Sequence, residues 1–257
     1  MLIALIREVS PALDRCELTH LAREPIDPAR AAAEHHRYAR LLGELGCDVR
    51  WVAAEPALPD AVFVEDTAVV VDEVAVITRP GAPSRRPETE SMTTALKRYR
   101  PVVTIDAPGT LDGGDVLRVG RTLYVGRSER TNAEGTAALA RHLAPWGYAV
   151  CPVATHGCLH LKTAVTEIAD DTLLCNPAWV DRHAFGDLTL VEVDPSEGLA
   201  ANALRIGTVV VHAAAWPRTR ERLEQRGIRT VPIDVSELAK AEAGVTCCSV
   251  IFPAESA

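Results

Sequence analysis

Five segments set a polar residue at the edge of an apolar run: Ala61-Val-Phe-Val-Glu-Asp66, Leu111-Asp-Gly-Gly-Asp115, Leu159-His-Leu-Lys-Thr163, Ala201-Asn-Ala203 and Thr246-Cys-Cys-Ser249. Together they offer carboxylates, an imidazole, an amide and a thiol, the groups a thiolate nucleophile needs for activation and proton transfer. Taken singly, each has a plainer reading. Glu65 and Asp66 suit a turn, Asp112-Gly-Gly-Asp115 is a turn-like sequence, His160 fits a hydrogen-bonded core histidine, and Cys247 and Cys248 fit small core residues. What favours chemistry is that the segments recur at matching places along the chain.

That recurrence comes from the elements between them. Short β-branched runs bounded by Gly, Pro, Asp or Asn predict strands over 2–6, 49–53, 61–64, 68–71, 74–78, 102–105, 116–119, 122–125, 149–153, 163–168, 172–175, 189–193, 203–206, 208–212, 230–233 and 249–252. Helical spacing predicts helices over 28–45, 88–98, 132–146, 217–226 and 235–241, the first capped by Asp27 with Pro28 in its first turn. The order strand, strand, helix, strand repeats roughly every 45 residues, about five times. Its copies run over 60–105, 112–153, 159–193 and 202–233, with the last strand, from 248 to 252, expected beside the opening segment. Such an order closes a ring around a central channel and leaves no long sheet edge exposed. The polar segments would then converge at one end of that channel. The competing reading is two ordinary α/β domains.

Composition narrows the function class. Twenty-seven basic against 35 acidic residues, net −8, argue against a nucleic-acid partner. No apolar run reaches the ~20 residues needed to cross a bilayer, and Met1-Leu-Ile-Ala-Leu-Ile-Arg7 does not read as a signal peptide. Seven cysteines, an odd number without CxxC spacing, point to free thiols rather than a disulfide framework or a structural zinc site. The expectation is a cytoplasmic protein.

The segments Pro59-Asp-Ala-Val-Phe-Val-Glu-Asp66, Ile77-Thr-Arg-Pro-Gly-Ala-Pro-Ser-Arg-Arg86, Thr110-Leu-Asp-Gly-Gly-Asp-Val116, Arg130-Thr-Asn132, Leu159-His-Leu-Lys162 and Gly244-Val-Thr-Cys-Cys-Ser249 resemble those of the dimethylarginine dimethylaminohydrolase family, nearly end to end. The resemblance implies the guanidino-group modifying (pentein) superfamily, an α/β fold in the form of a five-bladed propeller built from pseudo-fivefold ββαβ repeats around a central channel, as one catalytic domain over 1–257. It also implies hydrolysis of N-omega-methylated arginine (asymmetric dimethylarginine or monomethylarginine) to citrulline and a methylamine through a covalent amidino-cysteine intermediate. No cofactor and no metal are implied. The partner would be a small-molecule methylated arginine, with no nucleic acid and no membrane, and the chain a monomer or homodimer.

By the same resemblance Cys247 is the nucleophile, His160 the general acid and base, and Asp112, at a position that is Glu in some relatives, the residue orienting His160. Asp60, Glu65 and Asp66 match substrate-binding positions, and the two adjacent carboxylates suit a guanidinium fork. Arg85 and Arg130 match residues that hold the substrate α-carboxylate, Leu18 matches a mobile lid, and the Ala241 backbone matches an acceptor for the α-amino group. Cys248, on the opposite face by strand alternation, reads as packing. The alternatives are arginine deiminase chemistry on unmethylated arginine, amidino transfer, or a non-catalytic guanidino-binding or zinc-binding protein.

Overall fold

β1 (Leu2–Ile6) is an unbroken apolar run lying in the middle of its sheet. Its alternate residues enter two different cores, Ile3 and Leu5 one, Ala4 and Ile6 the other, so both faces are buried. This is a computed structural model, and it describes residues 1–254. α1 (Pro28–Glu44) starts as the sequence predicts: the Asp27 carboxylate accepts the Ala29 and Arg30 N–H groups, and Pro28 opens the first turn. Its stripe of Ala31, Tyr38 and Leu42 is buried against β1 and its neighbours. Truncating Leu42 to Ala would cost about 2–5 kcal/mol. β2 (Cys47–Trp51) then returns parallel to β1.

The plan repeats four times. β3 (Ala68–Val70), β4 (Ala75–Ile77), α2 (Thr89–Leu96) and β5 (Val102–Thr104) form the second unit, and β6 (Val116–Val119), β7 (Thr122–Arg127), α3 (Ala133–Leu143) and β8 (Ala149–Ala154) the third. The fourth opens with the one-turn helix α4 (Leu161–Ala164), followed by β9 (Val165–Ala169), β10 (Thr172–Cys175) and β11 (Thr189–Glu192). Its crossover holds a short 3₁₀ turn, Arg182–Phe185, in place of an α-helix. The fifth comprises β12 (Ala203–Ile206), β13 (Val209–Ala213), α5 (Pro217–Glu224) and β14 (Arg229–Ile233), after which the short α6 (Ser236–Ala239) leads to β15 (Val250–Pro253). In every sheet the central strand is antiparallel to one neighbour and parallel to the other. β15 completes the first sheet, antiparallel to β1.

Five apolar clusters hold these sheets together, and each draws on two neighbouring units. They join the first to the second, second to third, third to fourth, fourth to fifth, and fifth back to first. Contacts therefore run round the ring, in agreement with the five-bladed propeller. Among the described residues, no helix is long and apolar enough to cross a membrane.

One predicted strand is absent. Residues 61–64 form turns, with Ala61 N–H on the Leu58 carbonyl and Phe63 N–H on the Asp60 carbonyl, and lead into a 3₁₀ helix, Val64–Thr67. The run is apolar because Val62 and Phe63 plug one inter-sheet core while Val64 plugs the next, which is burial without a pleat. Likewise the strand predicted from 163 starts at Val165, after α4. A single helical turn precedes each sheet from the second to the fifth: Val64–Thr67, Gly113–Asp115, Leu161–Ala164 and Gly198–Ala201. These turns carry the polar segments to one end of the ring.

Candidate active site

His160 occupies the N-cap of α4 in extended backbone, with its side chain buried. Its Nε2 lies 3.0 Å from Asp112 Oδ2, and its Nδ1 lies 3.8 Å from Asp66 Oδ1. Burial alone would strip the imidazole of its proton, but the Asp66 charge and the Asp112 hydrogen bond outweigh it and hold the pKa up to about 9. Asp66 is the counterpart: burial works against its ionisation, yet His160 and Arg85 hold it down to about 2. The glycines of Leu111-Asp-Gly-Gly-Asp115 let this happen. A Cβ on Gly114 would lie 2.6 Å from His160 Nδ1 and 2.7 Å from Asp66 Oδ1, and one on Gly113 would lie 2.0 Å from the Glu65 carbonyl. The segment is a turn, as its composition suggests, and also the wall against which the imidazole is set.

Cys247 stands in the turn before β15, with the Gly244 N–H 3.3 Å from its Sγ and its carbonyl accepting the Glu65 N–H at 3.1 Å. Burial, then the charges of Glu65 and Asp66, push its thiol up to about 12, with the Gly244 N–H and Lys162 acting in the opposite sense. Cys248 packs in the core formed by the first and fifth sheets, as expected, but the pair lies in a turn rather than a strand, so strand alternation is not what turns it there.

Around Cys247 lies a small cavity of about 20 Å³, whose lining includes Asp60, Asp66, Arg85, Arg130, His160 and Ala241. The stretch 17–21 is tied over it. Glu17 N–H donates to the Asp60 carboxylate, Arg130 Nη2 donates to Thr19 Oγ1 at 2.9 Å, and the Glu242 carboxylate accepts the consecutive N–H groups of Thr19, His20 and Leu21. Leu18 lies within this stretch, partly buried against the core beside β1. Arg85 is buried in the wall with its guanidinium engaged: Nη1 on Asp66 at 2.6 Å, Nε and Nη2 on Glu88 at 3.1 and 2.8 Å, and Nη2 on the Phe63 carbonyl. Burial raises the Asp60 carboxyl, opposed by Arg85 and the Glu17 N–H.

Two of the expected site residues stand behind the cavity wall. Asp112 backs His160, and Glu65 turns away from the cavity toward Lys162, 2.5 Å away, and the Thr246 hydroxyl, 2.7 Å away. Asn202 extends this layer, donating to the Lys162 carbonyl and to Thr246 Oγ1. Glu65, Lys162 and Thr246 also line a larger cavity of about 350 Å³ bounded by β3, β6, β9, β12 and β15. Lys162 and Glu242 were not singled out from the sequence. Lys162 was visible two residues after His160 on the same helical turn, whereas Glu242, one of 35 acidic residues, carried no local signal.

Asp66, Asp112 and His160 present ligand atoms within 4.8 Å of one another, a set able to hold a cation. Asp66 and Asp112 already have partners of their own: both lie near the His160 ring, and Asp66 also pairs with Arg85. The geometry therefore combines a cysteine, an imidazole held by carboxylates, and a small cavity lined by the Asp60, Asp66, Glu17 and Glu242 carboxylates together with Arg85 and Arg130.

The arginine deiminase family matches residues 52–203. The N(G),N(G)-dimethylarginine dimethylaminohydrolase of Streptomyces coelicolor is 41% identical over 96% of this chain and 95% of its own length. That of Pseudomonas aeruginosa is 36% identical over 93% and 94%. A cysteine-to-serine variant of a dimethylarginine dimethylaminohydrolase from Pseudomonas aeruginosa complexed with citrulline superposes with a TM-score of 0.92 at 34% identity, covering 97% of this chain and 98% of that one. The N-terminal domain of a cyanobacterial arginine dihydrolase shares the fold at 17% identity, with a TM-score of 0.84.

Proposed function

The chain belongs to the dimethylarginine dimethylaminohydrolase family of the pentein superfamily, and from that premise we propose that it hydrolyses N-omega-methylated arginine to citrulline and a methylamine with Cys247 as nucleophile. The observation that carries this reading is the His160 imidazole set between Asp112 and Asp66 in the cavity that also contains Cys247.

The guanidinium carbon is a poor electrophile because its charge is delocalised, so the reaction needs a thiolate and a site complementary to the cation. With the thiol pushed up to about 12, the arriving guanidinium supplies the charge that favours the thiolate, and the thiol proton passes to solvent. The sulfur attacks the central carbon, and His160 gives its proton to the departing dimethylamine nitrogen. Carbon–nitrogen cleavage leaves an amidino group on sulfur as a cation. His160, now neutral, takes a proton from water as the oxygen adds to the same carbon, and collapse breaks the carbon–sulfur bond while the remaining proton on that oxygen passes to solvent, releasing citrulline and the thiolate. Asp66 pairs with the guanidinium and the imidazolium in turn, Arg130, with Arg85, holds the α-carboxylate, and Asp60 and the Ala241 backbone take the α-amino group. Leu18 rides on the closing stretch, and Glu65 sets the field beneath the sulfur.

The proposal includes a single catalytic domain over 1–257, a small-molecule substrate with no nucleic-acid or membrane partner, and a cytoplasmic monomer or homodimer. Incubation of the purified protein with asymmetric dimethylarginine, monomethylarginine and arginine, following citrulline in each, tests it. Citrulline from the methylated substrates is expected; citrulline from arginine alone would replace the proposal with deiminase activity.

A further inference from the structure

Asp115 is fully buried and takes no direct part in the reaction above. Its carboxylate accepts three hydrogen bonds: Oδ1 from the Leu161 N–H at 2.9 Å, and Oδ2 from the hydroxyls of Ser128 at 2.5 Å and Thr131 at 2.6 Å. Each partner leads to a different residue of the site. Leu161 directly follows His160. Ser128 Oγ accepts the Arg130 N–H at 3.0 Å, and Thr131 Oγ1 accepts the Asp112 N–H at 3.1 Å. The backbone beside it is kept bare, since a Cβ on Gly126 would lie 2.5 Å from Asp115 Oδ1.

We propose that Asp115 is a positioning residue, a single buried carboxylate that fixes His160, Asp112 and Arg130 relative to one another. This rests on the roles proposed above for those three. A carboxylate can only accept, so both hydroxyls must donate to it, and their lone pairs are thereby turned toward the Arg130 and Asp112 N–H groups. Because both hydroxyls share Oδ2, an amide at 115 would set its NH2 either against both of them, reversing that polarity, or against the Leu161 N–H. The Asp115 charge also helps hold the proton on His160.

The test compares Asp115→Asn, Ser128→Ala, Thr131→Val and His160→Gly in the full chain, measuring citrulline release from asymmetric dimethylarginine against substrate concentration and pH. Asp115→Asn is expected to lower kcat/KM about 100-fold and to move the alkaline limb of the pH profile to lower pH, a shift that mere loss of folded protein would not produce. Ser128→Ala, on the Arg130 arm, is expected to raise KM more than it lowers kcat, and Thr131→Val, on the Asp112 arm, the reverse. A folded Asp115→Asn with kcat/KM within about twofold of wild type and an unmoved limb overturns the positioning role. If Asp115→Asn does not fold, the two arm variants decide, and identical changes in KM and kcat for both overturn it. An inactive His160→Gly beside an unaffected Asp115→Asn overturns this inference alone, whereas a fully active His160→Gly overturns the reading of the site beneath it.

Discussion

Lys162 Nζ lies 2.5 Å from Glu65 Oε1, and the Glu65 N–H in turn carries the Cys247 carbonyl. The ion pair is largely shielded from solvent and sits under the sulfur. Glu65 raises the thiol pKa and Lys162 opposes it, so the pair sets the charge that the proposed nucleophile experiences.

Replacing Lys162 by Met leaves Glu65 largely buried and unneutralised. Alkylation of Cys247 by iodoacetamide at neutral pH is expected to slow, and stability to fall by about 3 kcal/mol, read by mass spectrometry and by urea unfolding.

Cys247→Ser is expected to lower turnover by at least about a thousandfold while the fold is retained. His160→Gly is expected either to stop before the covalent intermediate or to accumulate it. Intact-protein mass spectrometry after denaturing a substrate-treated sample tells which, and citrulline formation at a substantial fraction of the wild-type rate in Cys247→Ser would remove the nucleophile assignment.

Because His160 titrates at about 9 in the folded protein against an ordinary value near 6.5, the folded state binds that proton more tightly than the unfolded chain. The resulting stabilisation is complete below about pH 6.5 and is lost as pH rises through about 9. Asp66 acts in the opposite direction: held down to about 2, it contributes fully above about pH 3.8 and is lost as pH falls through about 2. Thermal melts should show both edges. Citrulline formation should fall as pH rises through about 9, where the proton destined for the leaving amine is lost; a flat profile to pH 10.5 would contradict His160 as the acid.

Arg130 lines the cavity and also ties Thr19. Arg130→Ala is expected to raise KM at least about tenfold with a smaller effect on kcat. A variant losing kcat at unchanged KM would argue against the carboxylate anchor.

Glu242 has a left-handed backbone, φ 59°, and gathers three successive N–H groups of the stretch 17–21. Glu242→Ala releases those groups, so limited proteolysis within 17–25 is expected to accelerate and KM to rise. Unchanged cleavage kinetics would show that the clasp does not hold that stretch.

Most of the fold was legible because its strands are short, β-branched and punctuated, and because the closing strand announced itself by repeating the pattern. The misreading at 61–64 has a physical origin. Val62, Phe63 and Val64 are buried by two different cores, and burial on every side erases the period by which a strand is told from a turn. The candidate site was legible where motif and repeat position coincide, as at Asp112, His160 and Cys247. It was not legible where a residue depends on a distant partner: nothing beside Glu65 in the sequence announces Lys162, 97 residues away, which donates to its carboxylate. Asp115 read as a turn residue because its three partners lie outside its own segment.

The pairing of β15 with β1 has a consequence for biosynthesis. Cys247 stands in the turn just before Val250, where the strand that joins the end of the ring to its beginning starts. A ribosome-bound chain that has produced every other unit still lacks both the final strand and the proposed reactive sulfur. Pairing of β15 with β1 is thus the step, last in chain order, that brings the proposed nucleophile to the cavity lined by His160 and Asp66.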